Sequence, residues 1–326
     1  MTDVRPNGLH HVTAIASDPQ RNLDFYTRVL GLRLVKQTVN FDAPDTYHLY
    51  YGDEAGRPST LLTFFPWRGV PQGRQGVGLT TATAFSVPPD SLGWWQRRLG
   101  ELEVSAEAPY DRDGEEVLTF RDPDGLVIDL VASAGDTRSG WDGVARVPTE
   151  HAVRGLHSVT LSERSLDPTA GLLSGLLGMQ PGGDAGDRAR FAMAPGGAGA
   201  VVDVAAGGGS RGLQAGGTVH HVAFRAPDGE TQARWRQELV EAGVAVTEIL
   251  DRQYFTSIYF REPGGVLFEI ATDQPGFAVD EPLLELGRSL KLPPWLEPNR
   301  EQIAAALPPL HNPDADPGAD PATGPA

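Results

Sequence analysis

Four of the eight histidines in this 326-residue chain fall in two adjacent pairs, His10-His11 and His220-His221. Random placement over that length gives well under one such pair. A lone histidine is usually a satisfied polar residue, but pairs at two matching places point to a site. Glu269, in the run GGVLFEIAT, lies downstream of the second pair. Two imidazoles and one carboxylate form the facial ligand set that leaves other metal positions open for substrate and oxygen. The sequence contains no cysteine, so thiolate ligands, thiolate nucleophiles and disulfides are excluded and only nitrogen and oxygen donors remain. His11, His221 and Glu269 are therefore the candidate ligands of one divalent metal, Fe(II) by preference with Mn(II) as the alternative.

A repeat places these residues. The same pattern starts at Gly8, Gly78, Gly155 and Gly217. The openings GLHHVTAIA, GLTTATAFSV, GLHSVTLSE and GTVHHVAFRA are rich in strand-forming residues and bounded by Gly, Pro or Asp. A helix follows each opening. In the first copy Asp18 caps, Pro19 suits the first turn, Leu23, Tyr26 and Leu30 recur at helical spacing, and Gly31 ends it. The closing strands share a spacing, from Ser59 to Thr63, Gly125 to Asp129, Gly199 to Asp203 and Gly265 to Glu269. RDPDGLVIDLVA and REPGGVLFEIAT each read as a hairpin around a Pro-Gly-rich turn. The unit is a strand, a helix and about three strands, βαβββ, present four times in an α+β chain.

Alternation along the opening strand puts His11 and Thr13 on one face and His10 and Val12 on the other. The repeat makes His221 equivalent to His11 and His157 equivalent to His10, leaving Ser158 and Thr81 at the ligand positions of modules three and two. Asp129 and Asp203 hold the acid positions there. Without imidazoles beside them they read as structural hydrogen-bonding residues rather than a second metal site. His48 and His157 read as core or second-face residues, His151 as part of a linker and His311 as part of a tail.

The repeated unit, from about Gly8 to Asp273, resembles the vicinal oxygen chelate superfamily. That resemblance implies that modules pair so that their mixed sheets curl into half-barrels around a metal site. Modules one and four are expected to pair, and two with three, because only that arrangement sets His11 beside His221. Glyoxalase-type isomerases of the superfamily take ligands from both opening and both closing strands of a pair, and Thr63 breaks that set. Within the superfamily, GLHHVTAIASDPQRNLDFYTRVLGLRLVKQTVNFDAPDTYHLYYGD, with TFFPW after it, resembles ring-cleaving dioxygenases acting on hydroquinones. Carried over, their ligands fall on His11, His221 and Glu269, and the resemblance implies supporting roles for His10, Thr13, His220, Arg252 and Tyr259. Arg252 would stabilise a phenolate and Tyr259 would donate a hydrogen bond to bound oxygen. Without the resemblance they read as a solvated arginine and a core tyrosine. The implied activity is Fe(II)-dependent, extradiol-type ring cleavage with O2, giving a hydroxymuconic semialdehyde-type product. Catechol cleavage on the same ligands is the alternative. A non-catalytic aromatic- or antibiotic-binding protein of the same fold is the reading from a different class.

Composition bounds the remaining choices. A hydrophobic content of 40% supports one large core or two smaller ones. A formal net charge of -16 repels phosphate backbones and anionic lipid, so a small aromatic substrate and O2 are the expected partners, not nucleic acid or membrane. A homo-oligomer stays open. The opening MTDVRPNGLHHVTAIA has no cationic segment before an apolar run, and no stretch approaches the ~20 apolar residues of a membrane span, so the expected location is cytoplasmic. Modules one and two are expected at 8–133, a polar linker at 134–154, modules three and four at 155–273, a helical extension at 274–306 and a disordered Pro-, Ala- and Asp-rich tail at 307–326.

Overall fold

The computed structural model describes residues 4–143, 146–184, 186–312 and Ala315. Each repeat folds as βαβββ. Module one comprises β1 (Leu9–Ala16), α1 (Pro19–Asp24), β2 (Arg33–Asn40), β3 (Ala43–Gly52) and β4 (Leu61–Pro66). Module two comprises β5 (Leu79–Val87), α2 (Leu92–Glu101), β6 (Tyr110–Arg112), β7 (Glu115–Arg121) and β8 (Val127–Ala132). Module three comprises β9 (Gly155–Glu163), α3 (Asp167–Ala170), β10 (Gln180–Asp184), β11 (Arg188–Ala192) and β12 (Val201–Ala206). Module four comprises β13 (Val219–Ala226), α4 (Gly229–Glu241), β14 (Leu250–Asp251), β15 (Thr256–Arg261) and β16 (Leu267–Thr272).

One eight-stranded sheet runs β14-β15-β16-β13-β1-β4-β3-β2, and the other runs β10-β11-β12-β9-β5-β8-β7-β6. Modules one and four therefore share one curled half-barrel, and modules two and three share the other. At the centre of each sheet two opening strands meet antiparallel, β1 on β13 and β5 on β9. Each opening strand also runs parallel to the closing strand of its own module, and a parallel neighbour needs a long crossover, which begins with the helix. β1, β2 and β4 are buried along their whole length; LLTFFP of β4 reads as a near-continuous apolar run, whereas RLVKQTVN of β2 buries Arg33, Lys36, Gln37 and Asn40 as well.

The helix signals act as their chemistry requires. The Asp18 side chain accepts from Arg21 N–H ahead of Pro19, and Asp228 accepts from Thr231 N–H at the start of α4. In modules one and three the helix then widens into a π turn, over Phe25–Val29 and Gly171–Leu176. In the first, Leu30 N–H donates to Phe25 O and Gly31, at φ +70, turns the chain out. The widened turn buries Phe25, Tyr26 and Thr27 together, which a 3.6-residue period does not foresee.

The glycines that open the repeats stand on the seam between the half-barrels, all four at positive φ. A Cβ on Gly217 would lie 1.8 Å from Asp124 O and one on Gly78 2.9 Å from Gly264 O. A Cβ on Gly155 would lie 2.7 Å from Ser59 O and one on Gly8 3.1 Å from Gly199 O. The contacts are reciprocal, module one with three and two with four. Only glycine combines this φ with so close a backbone approach.

Residues 134–154 carry no strand or helix among those described; Arg138 within them donates to the carbonyls of Ser59 and Leu156, joining modules one and three. Residues 274–306 form three 3-10 turns and α5 (Arg300–Ala306). Fully buried Lys36 on β2 anchors this extension, donating to Asp280, Glu281 and the Phe277 carbonyl and facing the Tyr254 ring. Residues 307–312, which composition assigns to the disordered tail, are instead held. Tyr47 OH donates to Pro308 O, and Gln20 and His311 exchange two hydrogen bonds. Positions 313–314 and 316–326 of the expected tail lie outside the described residues. No helix among the described residues is long and apolar enough to cross a membrane.

Candidate metal centre

On β1 and β13, Thr13 stands opposite His221 and His11 opposite Ala223, while Glu269 on β16 stands beside Ala223. Three neighbouring strands thus bring His11, His221 and Glu269 together. All three are buried, and their ligand atoms lie within 4.8 Å of one another. Nε2 of His11 is 3.2 Å from Nε2 of His221, and Oε2 of Glu269 is 2.9 Å from the His221 nitrogen and 3.3 Å from that of His11. These separations suit donors that each sit about 2.0 to 2.2 Å from a shared centre. Burial opposes ionisation of Glu269, yet the His11 and His221 imidazoles outweigh it and hold the carboxyl well below its usual range. Ser257 Oγ donates to Glu269 Oε1 at 2.5 Å, and Oε2 is buried without a hydrogen-bond partner.

Two β-bulges bring in the neighbouring histidines. The β1–β13 register shifts between Leu9 and His11, and again where His220 lies between His221 and Val219. Strict alternation predicts that His10 and His220 face away; the extra residue at each bulge reverses this. Nδ1 of His10 lies 2.9 Å from Nδ1 of His11, and Nδ1 of His220 lies 2.8 Å from Nδ1 of His221. Burial, with the adjacent ligand histidine, lowers the pKa of His10 and of His220 to about 3, so both rings are neutral. The Nδ1–Nδ1 contact of each pair holds a single proton, and with the cluster histidine as its donor the neighbouring ring accepts. In that tautomer Nε2 of His11 and of His221 each presents a bare lone pair to the cluster, whereas in the metal-free site a proton on either Nε2 reaches Glu269. Two such lone pairs and an unpartnered carboxylate oxygen repel one another unless a cation lies among them, so the donor set fits a divalent metal.

The cluster forms the floor of a cavity of about 430 Å³ with Phe41, Phe65, Trp67 and Phe255 in its walls. Tyr259 stands directly across the β15–β16 pair from Glu269, its ring 5.8 Å from that of His221. Arg252 Nε donates to the Tyr259 oxygen at 3.3 Å, and its guanidinium lies 5.4 Å from the tyrosine ring centroid. Burial raises the Tyr259 pKa, which keeps the phenol protonated. Thr13 is fully buried and reaches the cavity indirectly. Its hydroxyl is 2.7 Å from Thr63 Oγ1, which is 2.9 Å from His48 Nε2, and Tyr50 OH meets His48 Nδ1 at 2.8 Å.

His48, which reads from the sequence as a core or second-face residue, lines the cavity together with Tyr50. They are two apart on β3, so alternation gives them one face, but only the sheet order shows which face is inward. Nothing in the sequence marks Ser257 or Asp42. Ser257 shares a face with Tyr259 on β15, two residues away.

In the second half-barrel the equivalent place is closed by ion pairs. Arg112 reaches Asp129 at 2.5 Å, Arg188 and Arg190 reach Asp203 at 2.7 and 2.8 Å, and Glu115 pairs with Arg190 and His157. Guanidinium groups there balance the carboxylates, which makes Asp129 and Asp203 structural. The bulge also revises the repeat alignment. Ala84 pairs with Asp129 as Ala223 pairs with Glu269, so Ala82 and not Thr81 holds the ligand position of module two. His157 fills the module-three bulge and meets Ser158 Oγ at 3.1 Å.

A family model described as the Glyoxalase/Bleomycin resistance protein/Dioxygenase superfamily matches residues 8–130 and 155–270. The chain belongs to that superfamily. Within the superfamily it is similar to MhqO of Bacillus subtilis, whose name places it among ring-cleaving dioxygenases, with 45% identity over 93% of this chain and 96% of the relative. It is 36% identical to the chlorohydroquinone/hydroquinone 1,2-dioxygenase of Sphingobium indicum, over 93% of this chain and 96% of the relative. A solved superfamily structure from Bacillus subtilis, described as a dioxygenase, superposes with a TM-score of 0.88 at 43% identity, covering 94% of this chain and 98% of that one.

Proposed function

We propose that this superfamily member is a ring-cleaving dioxygenase that opens hydroquinone-type rings with O2, using Fe(II) held by His11, His221 and Glu269. One juxtaposition carries the reading: three buried ligand atoms within 4.8 Å of one another on the floor of an aromatic-walled cavity that Arg252 and Tyr259 also line. The names of the similar proteins support it. Bound there, Fe(II) would supply open coordination positions and electron transfer between an ionised ring hydroxyl and O2.

The side chains do the positioning. His10 and His220 accept from Nδ1–H of the ligand histidines and fix their tautomers, and Ser257 orients Glu269. Phe65, Trp67 and Phe255 exclude water from the ring faces. Arg252 stabilises negative charge on the ring oxygen, and Tyr259 holds a proton on its own oxygen for donation. A catechol grips a metal through two adjacent oxygens, but a hydroquinone offers one. Its orientation must come from protein hydrogen bonds, which Arg252 and Tyr259 are placed to give. Cleavage beside the hydroxylated carbon, of the extradiol type, yields a hydroxymuconic semialdehyde-type product.

The test is oxygen uptake by protein purified under nitrogen and loaded with Fe(II), across paired hydroquinones and catechols. Stoichiometric iron and a higher kcat/KM for the hydroquinone of each pair are expected. Uptake with catechol but with no hydroquinone would overturn the substrate assignment. Failure to hold iron would favour a sequestering protein instead.

A further inference from the structure

An ion pair crosses the cavity between modules. Asp42, in the turn between β2 and β3 of module one, places Oδ2 3.0 Å from Nη2 of Arg252, which follows β14 of module four. Both line the cavity, and Arg252 is the single Lys or Arg among its described lining residues. The turn that presents Asp42 is braced twice. Asp42 N–H donates to Asn40 Oδ1, and Phe41 meets Trp295 of the extension edge-on at 5.6 Å. The Asp42 side chain is 72% exposed and that of Arg252 only 18%, so the acid faces solvent while the cation faces the cavity.

The consequence is electrostatic. With Glu269 committed to the proposed metal, Asp42 is the carboxylate left to face Arg252 in this lining. A ring bearing a carboxylate substituent meets a cation that is already paired, and it must displace Asp42 or lie beside a like charge. A neutral ring meets neither obstacle. We propose that Asp42 is a specificity-determining residue that, by occupying Arg252, admits neutral hydroquinones and rejects carboxylated ones. The inference rests on the proposed function above, since it assumes that hydroxylated rings enter this cavity.

Calorimetric titration of the Fe(II)-loaded protein under nitrogen, where no turnover occurs, tests it with methylhydroquinone and 2,5-dihydroxyphenylacetate. The readout is the ratio of the two affinities, in which any contribution from iron common to wild type and variant cancels. Asp42→Asn is expected to shift the ratio about tenfold toward the carboxylated ligand. Asp42→Glu, which keeps the charge, should leave the ratio near that of wild type, and adding Arg252→Ala to Asp42→Asn should remove the gain. A shift below about twofold in Asp42→Asn, or a gain that survives loss of Arg252, overturns the filter while leaving the aromatic site intact. Binding of neither ligand to any of these proteins overturns the reading of the cavity itself, and the filter with it.

Discussion

A ligand histidine needs its proton held on the nitrogen that faces away from the metal, and in the proposed site a second histidine is placed to hold it. His10→Ala or His220→Ala should therefore weaken metal binding by roughly ten- to a hundredfold, read by competition with a chromophoric chelator. His221→Ala should abolish tight binding, whereas His157→Ala, in the other half-barrel beside Glu115, should leave metal content near wild type. Equal losses at His221 and His157 would sink the assignment of ligands to modules one and four. Tyr259→Phe should slow hydroquinone turnover by roughly ten- to a thousandfold while retaining iron, because it removes one hydrogen-bond donor and no ligand. A silent Tyr259→Phe would remove the tyrosine from the mechanism. That His11, His221 and Glu269 converge could be read from residue type and repeat position. The inward turn of His10 and His220 could not, because a bulge inserts one residue into a pairing whose partner strand lies about two hundred positions away and leaves no local signature.

At the level of elements, the βαβββ order was readable because Gly, Pro and Asp punctuate every unit and the four closing strands keep one spacing. The π turns escaped, since Leu23, Tyr26 and Leu30 fit a helical period while the backbone widens beneath them. One element junction has a measurable pH signature. Glu163, at the end of β9, is buried beside Glu262 of the β15–β16 turn, and burial reinforced by that neighbour raises its carboxyl from 4.5 to about 8. The folded protein then binds more protons than the unfolded chain between those values, so stability falls as pH rises from about 4.5 to about 8. Glu163→Gln keeps a neutral side chain of the same shape and should flatten that part of the curve of Tm against pH. A mutant curve running parallel to wild type would show that Glu163 is not the titrating group.

Across the whole molecule, the opening glycines bind one half-barrel to the other. Gly217→Ala forces both a positive φ and a Cβ only 1.8 Å from Asp124 O, whereas Gly114→Ala, at φ +83, meets nothing within 4 Å. In urea denaturation Gly114→Ala should lose about 1 to 3 kcal/mol from backbone strain, and Gly217→Ala distinctly more. Equal losses would mean that the seam is loose enough to yield.

The pairing of modules is also nested, two with three inside one with four, and His11 and His221 stand 210 residues apart. During synthesis from the N-terminus, modules two and three can close on each other while module four is still being made. β1 must wait with an unpaired edge, the kind of edge that invites aggregation. The proposed metal pocket cannot form on a nascent chain until β16, which carries Glu269, has left the ribosome. Assembly of the three side chains is thereby confined to the nearly finished protein, and a chain cut short after module three keeps His11 but lacks His221 and Glu269.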